Sequence, residues 1–295
     1  MTAERKVLDE FTIEYRPQKE WRWLITAAFF LGGLGGGLFL ISMFLDFRLG
    51  LLVGFLVVTV GKGTAHLLYL GRPLRFWRAF ARPSSSWISR GMIGIAVFSV
   101  FGFLYLVSKY VGLPWGEGTG AGIFIKIMAG LGAFMVMIYT GFVMAYSPSI
   151  PFWNTSLLPV LFVLYGFMGG LGTLFLIIPF AGEVGFDIKL LESVEILLLI
   201  TAIIIIATYL GTMYYATIAA KKAVQMLTRG SVAGYFLPLV VVVGMIVPLA
   251  IALFLAGGAG VAASGYLALA AILELIGAFT LRYALLRVGL RNPVF

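Results

Sequence analysis

Lys62 and His66 stand four residues apart in the run KGTAHLLYLGRPLRFWRAFARPSSSWISRG, and His66 is the only histidine among 295 residues. Four residues is one helical turn, so an ammonium and an imidazole share one face. Lysine there can lower the cost of negative charge on a bound group, and histidine can exchange a proton near neutral pH. A third group, the phenol of Tyr139 in YTGFVMAYSPS, can donate to a carbonyl.

Elements that position these residues must cross a membrane. Hydrophobic residues make up 61% of the chain, charged ones only 11%, and mean hydropathy is +1.06. Such a composition defines a polytopic membrane protein, an all-α integral membrane fold. About 20 apolar residues are needed per crossing, which predicts eight transmembrane helices at roughly 23–45, 50–70, 88–109, 122–146, 157–179, 190–215, 233–256 and 262–286. The N-terminal stretch before them is mixed in charge and lacks the apolar core and small-residue cleavage site of a signal peptide.

Absent residues narrow the chemistry. No cysteine means no protein-ligated iron–sulfur cluster and no disulfide within this chain, and one histidine excludes bis-histidine haem. Any electrons this chain handles must pass through a diffusible organic carrier and a partner that holds metal. A quinone suits the donor set of Lys62, His66 and Tyr139. The bland alternatives are that Lys62 snorkels or pairs structurally, His66 bonds a backbone carbonyl, and Tyr139 belongs to the interfacial aromatic belt.

A near-repeat divides the chain. GGLGGGLFLI from Gly32 and GGLGTLFLI from Gly169 start four spans apart, which predicts two tandem four-helix bundles, 23–150 and 151–295, after a polar segment 1–22. The competing reading is two independent close-packing faces, where small residues let backbones approach. Glycines in GGAGVAASG add to the expectation of tight packing. In the second bundle the embedded ionisable residues are Glu192, Glu195, Glu274 and Arg282, read either as a structural salt bridge or as a proton route. Asp46 reads as interfacial.

Net charge is +9 and unevenly spread. With eight spans, both termini and the loops after spans 2, 4 and 6 share one side. That side holds Arg72, Arg75, Arg78, Arg82 and Arg90, besides Lys221, Lys222, Arg229, Arg287 and Arg291. The positive-inside rule places this side, and both termini, in the cytoplasm. Loop arginines kept for docking a partner would bias that count.

HLLYLGRPLRFWRAFARPSSSWISRG, the segment YTGFVMAYSPSIPFWNTSLLPVLF and EWRWLITAAFFLGGLGGGLFL together resemble the polysulfide reductase membrane-subunit (NrfD-like) family. The resemblance covers all eight spans and is strongest over the first five. It implies a cell inner-membrane subunit that binds menaquinone or ubiquinone without haem. Electrons would be exchanged with a multi-cluster iron–sulfur subunit, often joined to a molybdenum or tungsten catalytic subunit. The implied quinone pocket maps to His66 and Tyr139, with Trp21 and Trp23 at its approach. Arg72, Arg75, Arg78 and Arg90, with Trp153, are expected to dock the partner. Well-known relatives carry that partner outside the cytoplasmic membrane, whereas the charge count faces it inward. Some members serve cytoplasmic catalytic subunits; otherwise the arginines answer to the partner and mislead the rule. No nucleic acid is implied. The second function class is a proton- or ion-coupled secondary transporter, disfavoured because the repeats are parallel and no discontinuous helix pair marks a midplane site.

Overall fold

The computed structural model describes residues 15–116, 118–256 and 263–292. Residues 1–14 of the N-terminal segment and 257–262 of the GGAGVAASG run lie outside them. Among the described residues, eight helices are long and apolar enough to span a membrane. They are α1 (Trp23–Phe44), α2 (Arg48–Tyr69), α3 (Trp87–Tyr110), α4 (Gly120–Ala145), α5 (Leu157–Phe180), α6 (Ile188–Ala216), α8 (Ala233–Ala256) and α9 (Ala263–Arg287). The remaining helix, α7 (Ile218–Thr228), follows α6 after Thr217, whose hydroxyl caps it by accepting from the Ala220 amide at 3.1 Å.

Turn chemistry sets the ends. Ser86 and Thr119 cap α3 and α4 by accepting amide hydrogen bonds from Ser89 and Gly122, satisfying donors that a helix start leaves open. On the side away from the arginines, Asp46 follows α1 with a positive φ of 52° and receives an ion pair from Lys109 at the end of α3. The two interfacial residues thus tie the α1–α2 corner to α3.

Helix packing follows the glycines. α1 packs on α2, α4, α5 and α9, while α3 packs extensively on α4. In the second half α5 meets α6 and α9, and α9 packs on α8. The two near-repeated strings face each other: a Cβ at Gly37 would overlap the Gly166 carbonyl, and one at Gly170 would overlap the backbone of Gly37 and Leu38. Lipid is as apolar as a side chain, so close backbone approach supplies much of the attraction between such helices.

Two segments widen from α-helical to π-helical winding, Val57–Lys62 within α2 and Phe236–Ile246 within α8. Extra residues per turn re-aim the side chains that follow, and such bulges are frequent at functional sites.

At the arginine-rich end the termini are clasped. β1 (Arg16–Pro17) pairs antiparallel with β2 (Leu290–Arg291). The Gln18 amide donates to Gly289, and its side chain to Trp21 and Leu286 carbonyls. Glu20 and Arg291 form an ion pair at 3.1 Å.

Candidate functional site

Lys62 closes the π-helical stretch of α2, and its side chain is 1% exposed. The ammonium crosses to α1, where Nζ donates to the Ala28 carbonyl at 3.1 Å. One turn along α1, a Cβ at Gly32 would stand 2.7 Å from that nitrogen, so glycine is the residue that lets the lysine pass. Nζ ends 4.9 Å from the centre of the Tyr139 ring, within cation–π range. Tyr139 lies in α4 and is buried. Its ring occupies the space that a side chain at Gly91 of α3 would fill. Helices 1 to 4 therefore all contribute: a carbonyl and a glycine, a lysine, a glycine, and a phenol.

His66 is half-buried, with Nδ1 3.2 Å from the Lys62 carbonyl. A carbonyl only accepts, so Nδ1 carries the hydrogen, and Nε2 is the atom left to exchange a proton. His66 and Tyr139 are each tied to Lys62 and share no hydrogen bond with one another. The sequence placed three groups at one membrane face; in the structure Lys62 is the hinge between the other two.

Two features beside this cluster escaped the sequence reading. Trp87, one turn before Gly91, stacks on Phe142 at 4.0 Å, and its buried Nε1 has no hydrogen-bond partner. Phe142 in turn lines a cavity of about 520 Å³ with Tyr146, Asn154, Thr155 and Pro159, beginning one turn beyond Tyr139. An orphaned indole N–H is costly, and it leaves one donor unspent on α3, a turn from the glycine against which the Tyr139 ring packs. The only advance signal was the tryptophan in SWISRG.

The remaining expected residues fall elsewhere. Trp21 stacks on Trp153 at 5.5 Å and meets Phe29 edge-on, while Trp23 is 62% exposed. Both line a second cavity with Tyr283 and Arg287 of α9, and neither makes a hydrogen bond or ring contact with His66 or Tyr139. Trp153 is 2% exposed, and its indole donates to the Leu285 carbonyl, so it offers no surface to a partner. Arg75 and Arg78 are exposed on a 3₁₀ turn over Pro73–Phe80 and Arg72 just before it, beside Leu74 at 91% exposure, Phe76 and Trp77. Arg90 instead folds the loop: it donates to the Pro83 and Ser84 carbonyls at 2.8 and 2.7 Å and stacks over Trp87.

In the second half Glu195 and Glu274 are buried and, with half-buried Glu192, line one small cavity between α6, α8 and α9. Both Glu195 oxygens and Glu274 Oε1 lack hydrogen-bond partners. Arg282 does not pair with them. Its Nη1 donates to the Ala278 carbonyl, and the guanidinium is enclosed by Phe30, Phe162 and Tyr165. Nη2 faces Gly33, next to the glycine that admits Lys62, so two buried cations flank α1 at consecutive residues.

The eight-span bundle, with Lys62, Tyr139 and Arg282 buried inside it, is an integral membrane protein. The sequence profile of the polysulphide reductase NrfD family matches residues 12–292, and the protein belongs to that family. It is 26% identical to the polysulfide reductase C subunit of Wolinella succinogenes, over 91% of this sequence and 94% of that protein. It is also 24% identical to the NrfD homolog of Haemophilus influenzae, over 82% and 81% of the two sequences.

Proposed function

We propose that this protein is the quinone-reactive subunit of its complex, exchanging electrons between menaquinone or ubiquinone and an iron–sulfur partner. The observation that carries the reading is the convergence of Lys62 and Tyr139 around Gly32 and Gly91, where helices α1 to α4 meet. A quinone supplies two-electron, two-proton chemistry when bound. Its two carbonyl oxygens match a site rich in donors and poor in acceptors.

Tyr139 Oη would donate to one quinone oxygen and so orient the headgroup. The buried Lys62 ammonium holds a positive potential where reduction adds negative charge, and such a fixed charge acts strongly away from water. His66 Nε2 would exchange a proton with a bound quinone, while Nδ1–H holds the ring on the Lys62 carbonyl. Arg72, Arg75 and Arg78, with their apolar neighbours, dock the iron–sulfur subunit, and a molybdenum or tungsten catalytic subunit lies beyond it. Glu192, Glu195 and Glu274 form a proton route in a second four-helix unit, with Arg282 setting its potential. Both termini face the cytoplasm of an inner-membrane protein.

The test is His66→Ala in the assembled complex. Quinol-linked turnover is expected to fall by about 10²-fold or more, the contribution of a positioned acid–base group, while the complex still co-purifies. Normal quinol kinetics in that variant sinks the assignment.

A further inference from the structure

We infer that the groove between α1 and α9 is a binding site for an anionic phospholipid, independent of the quinone reading. At its head is a cavity of about 270 Å³ lined by Lys19, Arg22, Trp23, Tyr283 and Arg287. Trp23 begins the α1 span and Arg287 ends that of α9, so the cavity lies at the boundary between hydrocarbon and water. Basic pockets at this level take acidic headgroups, and tryptophan and tyrosine rings belong beside them.

The cations here are not spent on carboxylates. Glu20, the nearby acid, is paired with Arg291. Arg22 donates through Nε to the Lys19 carbonyl, a bond that holds the guanidinium over the cavity and leaves its charge uncompensated. Among the described residues no carboxylate pairs with Arg287 or Lys19. Three positive charges thus surround one opening that contains no acidic side chain.

Below the cavity the groove is apolar. Phe30 of α1 and Phe279 of α9 meet edge-to-face at 5.6 Å. Phe30 is seven residues past Trp23, roughly 10 Å deeper at 1.5 Å per residue. Exposed Ile276 and Ile272 continue the stripe along α9. Headgroup charge above and an apolar, aromatic stripe below fit a molecule with a phosphate and acyl chains. Arg282 sits behind this floor, its guanidinium 5.8 Å from the Phe30 ring. A seated acyl tail would therefore shield a buried cation from lipid fluctuations.

The experiment is native mass spectrometry of the detergent-purified protein, offered phosphatidylglycerol or phosphatidylcholine with matched acyl tails, and separately inorganic phosphate or a short-tailed menaquinone analogue as competitor. Phosphatidylglycerol should be retained over phosphatidylcholine, and Arg22→Gln/Arg287→Gln should lower that retention by about thirtyfold, as expected for two interfacial cations. The conservative pair Arg22→Lys/Arg287→Lys should keep most of it, which separates lost charge from lost fold. Equal retention of the two lipids overturns the proposal. So does displacement by inorganic phosphate, which would mark a bare anion site, or by the menaquinone analogue, which would mark a quinone site. Unchanged retention in the glutamine variant also overturns it.

Discussion

Lys62 is the residue whose two possible roles differ most in what they predict. A buried ammonium with one carbonyl partner and one aromatic face is an expensive structural device. Replacing buried charge with a well-packed hydrophobe is often neutral or stabilising by about 1–4 kcal/mol. Lys62→Met should therefore melt no lower than wild type in detergent, yet its complex should lose at least about tenfold in quinol turnover if the charge acts on the headgroup. Loss of fold without a specific kinetic defect would make the lysine structural. His66 and Lys62 could be paired from their spacing alone. Tyr139 could be placed only at the right membrane face, because nothing in a sequence reports that Gly91 clears room for its ring. Arg90 shows the opposite failure: read as one docking arginine among four, it spends its donors on its own loop, a role set by local carbonyls that spacing does not reveal.

The spans were readable because hydrocarbon thickness fixes their length, and all eight appear near their expected places. Which face of each span looks inward was not readable. Lipid and protein interior are equally apolar, so hydrophobic periodicity carries little of that information, and small residues carry most of what there is. Trp153 illustrates the limit: a loop tryptophan near the interface suggests a docking anchor, yet it lies beneath Trp21 with its N–H on Leu285. Gly91→Val should drive a methyl into the Tyr139 ring and lower stability by about 1–3 kcal/mol. Adding Tyr139→Ala to it should recover thermal stability without recovering turnover. Recovery of both would remove Tyr139 from the site.

For the whole molecule, charge and shape divide the arginine-rich end into separate jobs. Arg72, Arg75 and Arg78 project beside Leu74 and Trp77, a mix of charge and exposed apolar surface that suits a protein partner. If they dock the proposed iron–sulfur partner, their joint replacement by glutamine should release it during purification and make any residual association less salt-sensitive than that of the wild type. Retention of a stoichiometric partner at physiological ionic strength would move docking elsewhere. The terminal clasp answers to pH. Backbone N–H groups at Glu20 and Lys19, with Arg291 adding its charge, hold the Glu20 carboxyl below the ordinary carboxylate range. A depressed acid stabilises the fold above its unfolded pKa and loses that contribution as pH falls through the folded value. Hydrogen-exchange protection of the Gln18 amide should accordingly weaken at acid pH, and Glu20→Gln should flatten that dependence.

The contact between Gly37 and Gly166 carries a consequence for biogenesis. The first helix leaves the ribosome with its glycine face already complete, but the surface it must meet is synthesised only after three further helices have been threaded. During that interval the groove on α1 has no permanent occupant. Its assembly waits on the translation clock, and slow codons or a hindered insertase anywhere before α5 would lengthen the exposure of the surface that joins the halves.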